Sequence, residues 1–165
     1  MSACVIADAL GLVDLWAACD SSPSKRLALL VALTELVEDQ VLRFPKEIAD
    51  ELAVVDRGGH LASWAAGLGS HLNSFNANYK YNLPLMQYAK ELGFEEGFQS
   101  LDGKDPAVVA AGRLACEYSA TAVEFAILTG DLGKAPLRPT MEQLCDHAGW
   151  TVIDISSVQT LFDIS

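Results

Sequence analysis

ILTGDLGKAPLRPTMEQLCDHAGW, residues 127–150, contains the transition that indicates the fold class. An apolar run over residues 122–128 predicts a buried strand that ends just before Asp131. A loop rich in glycine, lysine and proline follows, and then a helix that we expect over residues 139–148. A single acid in this position is usually a turn or cap residue. Its significance depends on whether other acids follow other strands.

Three further apolar runs predict strands, over residues 3–7, 41–44 and 150–154. Segments with helical periodicity separate them. Strands that alternate with helices imply a parallel sheet that is covered by helices on both faces. The 165 residues contain no internal repeat or clear linker, so we expect a single α/β domain over residues 1–165.

The helices are predicted from apolar periodicity and from the residues that start them. Asp105 is expected to be an N-cap, with Pro106 at the first helical position. The expected helices cover a segment after Asp8, then 24–40, 45–55, 60–68, 84–92, a segment from 105, 139–148 and 156–162.

The composition indicates a compact globular protein. Hydrophobic residues make up 51% of the chain, and no apolar run approaches the roughly 18–20 residues needed to cross a bilayer. The opening MSACVIADALGLVD lacks a basic leading segment and is a poor signal peptide. The four cysteines are scattered without a CxxC pair, which favours reduced thiols. We therefore expect a cytoplasmic protein that does not bind membranes.

The net charge of −11 argues against nonspecific nucleic-acid binding, because such binding depends on Lys and Arg side chains that neutralise phosphates. It is compatible with a nuclease that holds divalent cations in an acidic pocket. It also suits a protein partner with a basic surface.

Four acids stand where an α/β fold would bring them together. Asp8 and Asp131 follow predicted strands, Asp105 begins the helix before the Asp131 strand, and Glu51 lies in the helix after the second strand. Carboxylates held close together repel one another unless a cation compensates, and oxygen ligands suit Mg²⁺ or Mn²⁺. Each acid also has an ordinary role as a cap, turn or solvated residue, and Asp102 is an alternative to Asp105.

The order and context of these acids resemble a PIN domain, the fold of many metal-dependent ribonucleases. The similar segments are VIADALGLVDLW (5–16), FPKEIADEL (44–52), DPAVVAAG (105–112) and ILTGD (127–131). The segment GKAPLRPTMEQLCDHAGWTVIDI (133–155) is similar to a PIN subgroup with a cysteine in its C-terminal helix. No single motif is specific, but four of them occur in order. The resemblance implies a three-layer α/β/α fold with a mostly parallel sheet of four to five strands.

The resemblance also implies a function, an endoribonuclease that hydrolyses RNA phosphodiester bonds and is the toxin of a type II toxin–antitoxin pair. Asp8 and Asp105 would bind Mg²⁺ or Mn²⁺ directly, Asp131 directly or through water, and Glu51 would orient a second metal or the attacking water. An antitoxin segment would block the pocket. The family commonly has a hydroxyl or amide residue just after its first Asp, where this chain has Ala9.

Basic and aromatic residues are candidates for substrate contact. Lys104, Lys134 and Arg138 would meet RNA phosphates, although each is otherwise an ordinary solvated residue. Between Asn73 and Asn82, the rings of three aromatic residues would stack on unpaired bases, or they would pin a loop to the core. These rings belong to Phe75, Tyr79 and Tyr81.

Other functions remain open at this stage. One alternative is a catalytically weak or inactive PIN-like protein that acts by binding a partner, which Ala9 and the acidic charge favour. A receiver domain or a haloacid-dehalogenase-type phosphatase is disfavoured, because Asp8 has no acidic neighbour of the expected kind. A dinucleotide-binding fold is disfavoured because no GxGxxG follows the first strand. Apolar residues near Trp16 and over 27–37 leave a homodimer open.

Overall fold

The computed structural model describes residues 3–165, and across them the chain forms one sheet of three parallel strands. They are β1 (Cys4–Ala7), β2 (Leu42–Arg43) and β3 (Phe125–Leu128), in the order β2-β1-β3. The central strand β1 is entirely buried, which explains why its sequence is uniformly apolar instead of alternating. The predicted α/β fold with a parallel sheet is confirmed.

The sheet has fewer strands, within residues 3–165, than the expected four to five. The segment predicted as a strand over 150–154 pairs only through an isolated bridge between Ile127 and Val152. The chain leaves the sheet at once because Asp154 caps the next helix, where it accepts a hydrogen bond from the Ser157 N–H at 2.7 Å. Val152 remains half-exposed.

The described part of the chain also contains eight α-helices. In chain order they are α1 (Ala9–Ala18), α2 (Pro23–Glu38), α3 (Lys46–Val55), α4 (His60–Gly67), α5 (Asn82–Glu91), α6 (Ala107–Ala120), α7 (Met141–Ala148) and α8 (Ile155–Phe162). Two short 3₁₀ segments, Gly69–Phe75 and Tyr79–Tyr81, connect α4 to α5. None of the helices that the structure describes is long and apolar enough to cross a membrane.

Several predicted helix starts are displaced in the structure; α5, for example, begins at Asn82 instead of Pro84. Asp105 is not the N-cap of α6: Pro106 takes that position with an extended backbone, and no side chain caps the helix. Proline is tolerated there because a helix needs no N–H from its N-cap residue. Helix α7 begins at Met141, not near Pro139, because Thr140 and Gln143 form a reciprocal capping box.

The first turn of α1 lies directly against the end of β3. A Cβ atom on Gly11 would stand 2.5 Å from the backbone oxygen of Leu128, and one on Gly130 would stand 2.8 Å from the Leu10 Cβ. Only glycine permits this approach, because an added Cβ would lie well inside the van der Waals distance of these atoms. The approach brings Asp8, the residue after β1, into contact with Thr129 and Gly130, the residues after β3.

We expect Gly11→Ala to lower the free energy of unfolding by about 1–3 kcal/mol, because the added methyl group has no space against the β3 backbone. Urea unfolding would measure the loss. Gly67→Ala is the control, since this exposed glycine of α4 has no atom near the added Cβ. Equal stability of Gly11→Ala and the unmodified protein would contradict the close approach.

Candidate functional site

Asp8 follows β1 immediately and is buried, with 6% of its surface exposed. Its Oδ1 accepts hydrogen bonds from the N–H of Gly11 at 2.7 Å and from the N–H of Gly130 at 3.2 Å. Its Oδ2 accepts a hydrogen bond from the Thr129 hydroxyl. The carboxylate is therefore the N-cap of α1 and also joins α1 to the end of β3.

Thr129 is a site residue that sequence reasoning missed. Its hydroxyl donates to Asp8 and also accepts a hydrogen bond from the Asp131 N–H at 2.9 Å. It provides a hydroxyl partner for Asp8, although the residue directly after Asp8 is Ala9 and has no hydroxyl. The only sequence signal was a threonine two residues before Asp131, at the end of an apolar run.

Asp131 forms a bidentate ion pair with Arg138. The Arg138 Nη1 lies 2.8 Å from Oδ2 and its Nη2 lies 3.2 Å from Oδ1, and both side chains are mostly buried. Oδ2 also accepts a hydrogen bond from the Met141 N–H at 2.9 Å, at the start of α7. Asp131 thus holds the loop after β3 and the first turn of α7, and its charge is already compensated.

Glu51 of α3 is the third predicted acid at this place. It lines a small cavity of about 30 Å³ together with Asp8, Asp131 and Arg138. The cavity is large enough for one or two water molecules. The start of α1 and residues 106–108 complete its walls. Three of the four predicted acids therefore converge at the carboxyl ends of β1 and β3.

Burial and mutual repulsion raise the pKa of two of these acids. For Asp8, burial raises the pKa most, the hydrogen bonds from Thr129, Gly11 and Gly130 oppose the increase, and the charge of Asp131 adds to it. For Glu51, burial also raises the pKa most, followed by the charges of Asp8 and Asp131, while Arg138 opposes the increase. These carboxylates are ionised at a cost in free energy, which a nearby cation would reduce.

No protein-family model, curated protein or solved structure matches the chain.

The remaining predicted site residues lie elsewhere. Asp105 is exposed and lines a neighbouring, larger cavity, so it does not join the cavity of Asp8 and Glu51. Lys104 and Lys134 are exposed and line neither cavity. Of the predicted substrate-binding residues, only Arg138 lies at the acidic cavity. Asp102 stays in a local turn, bonded to the Ser100 hydroxyl at 2.7 Å.

The residues of the acidic cavity provide only part of the ligand set that a divalent cation needs. Within residues 3–165, no three His, Cys, Asp or Glu side chains are grouped closely enough to hold a metal ion. The charge of Asp131 is already compensated by the guanidinium of Arg138. Asp8 and Glu51 remain, two oxygen-donor side chains with raised pKa values in one small cavity. Mg²⁺ is often bound by only one or two carboxylates, with water and substrate phosphates as further ligands.

The four cysteines form no disulfide in this structure. All four are buried free thiols, and burial raises the pKa of Cys116 and Cys145 to about 12. A thiol of this kind stays protonated at neutral pH and is a poor nucleophile or metal ligand.

We expect Asp131→Ala to lower the free energy of unfolding by about 2–4 kcal/mol, because it removes the ion pair with Arg138 and the hydrogen bond to the Met141 N–H. Chemical denaturation would measure the change. Asp146→Ala is the control, an exposed aspartate of α7, and we expect it to be nearly neutral. A loss no larger than that of the control would show that Asp131 does not support α7.

The raised pKa values predict how stability depends on pH. Between the ordinary pKa of an acid, near 4, and its raised value in the folded state, the folded protein binds more protons than the unfolded chain. Stability from Asp8 and Glu51 therefore falls as the pH rises through this window. We expect Asp8→Asn and Glu51→Gln to stabilise the protein relative to wild type more at pH 7 than at pH 4.

Thermal or urea unfolding of the variants across pH 4–8 would test this expectation. Asp50→Asn is the matched control, because Asp50 is exposed on the same helix as Glu51. A stability difference that does not change with pH for Asp8→Asn would contradict the raised pKa.

Proposed function

We propose that the chain is a PIN-like, metal-dependent endoribonuclease that acts in the cytoplasm as the toxin of a type II toxin–antitoxin pair. The observation that carries this proposal is the convergence of Asp8, Glu51 and Asp131 in one cavity at the carboxyl ends of two neighbouring parallel strands. Sites of α/β proteins form at this edge of a sheet. The order of the four acidic motifs along the chain, which resembles that of PIN domains, supports the same proposal.

Asp8 and Glu51 would hold Mg²⁺ or Mn²⁺. Asp8 is rigidly oriented by hydrogen bonds from α1 and β3, so its carboxylate needs little reorganisation to bind a cation. When bound, a divalent cation lowers the pKa of a coordinated water and compensates charge on the phosphoryl oxygens. Asp105 and Asp131 remain proposed ligands of the set, although Asp105 lies at the neighbouring cavity and Asp131 is paired with Arg138.

Glu51 and Arg138 have further roles in this proposal. Glu51 is partly exposed at the cavity, where it would orient a second metal or the attacking water. Arg138 carries its charge into the same cavity, where a guanidinium can donate two hydrogen bonds to a phosphate. Such a contact would take Arg138 from Asp131, so the ion pair would rearrange when RNA binds.

The partners proposed for this function are an RNA substrate and an antitoxin. Leu10 is an exposed apolar side chain that lines the acidic cavity, and Leu132 is a second exposed one directly after Asp131. An antitoxin segment that covers both would also close the cavity. A homodimer is a further part of the proposal, through the exposed Leu27 and Val31 of α2.

A second candidate function is a PIN-like protein that binds a partner and cleaves nothing. The observation that favours it is the ion pair between Asp131 and Arg138. The guanidinium of Arg138 neutralises the charge of Asp131, so this acid needs no metal ion to compensate it. In this case the site would be a structural remnant, and the net charge of −11 would serve to attract a basic partner.

We expect the partner-free protein to cleave a pool of single-stranded and structured RNA in Mg²⁺ or Mn²⁺ but not in EDTA. Asp8→Asn and Glu51→Gln should each lower the rate at least 100-fold, because each removes an oxygen donor at the cavity. Gel analysis of end-labelled RNA would measure the rates, and circular dichroism would confirm that the variants fold.

Asp50→Asn is the control and should cleave at the wild-type rate. Cleavage that survives both Asp8→Asn and Glu51→Gln would be evidence against this site. A folded protein that neither cleaves RNA nor binds Mn²⁺ in calorimetry would instead favour the partner-binding function.

A further inference from the structure

A second cavity, about 400 Å³ in volume, lies beside the acidic one. The two share Pro106 as a wall residue. The larger cavity is formed by the start of α6, by α3 and by the segment between the two 3₁₀ turns. Its polar and aromatic walls come from Glu47, Asn76, Tyr79, Asp105 and Arg113.

Arg113 of α6 is the unusual residue of this cavity. Its side chain is only 6% exposed, and it is the one buried arginine among the described residues. Its Nη1 lies 3.2 Å from Asn82 Oδ1 and its Nη2 lies 3.5 Å from Glu47 Oε2. Its Nε has no hydrogen-bond partner in the part of the chain that the structure describes. That Nε is closed off from solvent, but Nη1 and Nη2 each carry a second N–H, so the guanidinium keeps donors for a ligand in the cavity.

Tyr79 provides an aromatic surface at the same cavity. Its ring is stacked on the Arg113 guanidinium, with 4.6 Å from the Arg113 Cζ to the ring centroid. The residue is 76% exposed, so most of its ring surface remains accessible. Of the three aromatic residues considered for base stacking, Phe75 is buried in the core, and Tyr81 is partly buried against it. Tyr79 is the one that lines this cavity.

The charges of the cavity select the kind of ligand. Glu47 and Asp105 would repel a phosphate, so the remaining Nη donors of Arg113 are better matched by a neutral acceptor. A nucleobase offers such acceptors together with donors for a carboxylate, and it has a flat face for Tyr79. Guanine has acceptors at O6 and N7 and donors on its Watson–Crick edge, where a single carboxylate can accept from two of them.

We propose that this cavity binds one unpaired guanine base of RNA next to the phosphate that is cleaved. The base lies beside the Arg113 guanidinium, against the same face of the Tyr79 ring, where Arg113 donates to its acceptor edge and Glu47 accepts from its donor edge. Pro106 lies between the base and the acidic cavity, so the two cavities would hold consecutive parts of one strand. This inference rests on the proposed nuclease function, because it identifies the base that positions the RNA for cleavage.

Binding of short RNAs to the full-length Asp8→Asn protein would test the proposal without cleavage of the probe. The probes are the pentanucleotides UUGUU and UUAUU and free 5′-GMP, and fluorescence anisotropy or calorimetry would measure their affinities. We expect UUGUU to bind at least tenfold more tightly than UUAUU, and more tightly than 5′-GMP.

Two substitutions separate the stacking from the hydrogen bonding. Tyr79→Ala should weaken binding of UUGUU about tenfold or more, because loss of one base–aromatic stack has an effect of this size. Glu47→Gln should reduce the preference of UUGUU over UUAUU towards unity while stacking remains. Tyr79 is largely exposed, so its substitution should leave the fold intact. The control is Leu83→Ala, which removes an equally exposed side chain outside the cavity and should change neither affinity.

The outcomes distinguish this inference from the nuclease function. Equal affinity for UUGUU and UUAUU, or no effect of Tyr79→Ala, would overturn the guanine site even if the wild-type protein cleaves RNA. Binding of 5′-GMP as tightly as UUGUU would overturn the assignment to an RNA base in favour of a free nucleotide. Guanine-selective RNA binding by a protein that cleaves nothing would keep the site and remove the nuclease.

Discussion

The burial of one carboxylate, Asp8, is the constraint on which the rest of the site depends. A buried charge is tolerated only when hydrogen bonds replace its water. Here the donors come from the first turn of α1 and from Thr129 and Gly130 after β3, so one side chain holds two strands and a helix together. Gly11 and Gly130 are required because any side chain at either position would separate these elements.

The same arrangement concentrates negative charge. Asp8, Glu51 and Asp131 lie around one small cavity, and burial together with their mutual repulsion raises the pKa of the first two. The fold compensates only part of this charge, through the ion pair between Asp131 and Arg138. Sites that keep uncompensated charge at the expense of stability are typically functional, since a structural role alone would favour its removal. The uncompensated charge of Asp8 and Glu51 is therefore the feature that supports the proposed ligand-binding role over a purely structural one.

Sequence reasoning succeeded where the signal was local. The uniformly apolar run of β1 predicted a buried parallel strand, which is present, and the acid after it lies at a small cavity. It failed where neighbours in space decide the outcome. The segment around Val152 has a strand-like sequence, but the cap at Asp154 ends it after a single bridge. Asp105 looked like a helix cap, yet Pro106 takes that position.

The sequence by itself determined the α/β class, the parallel sheet and the candidate acids, because apolar periodicity and strand-end residues are readable along the chain. Only the tertiary structure decided which acids meet, which of them is paired with Arg138, and that Thr129 supports Asp8. It also placed Arg113, an arginine within an apolar helical segment, beside Tyr79 and Glu47. Hydrogen bonds and ion pairs between residues far apart in the chain depend on distances of a few ångströms, and no pattern along a single sequence encodes those distances.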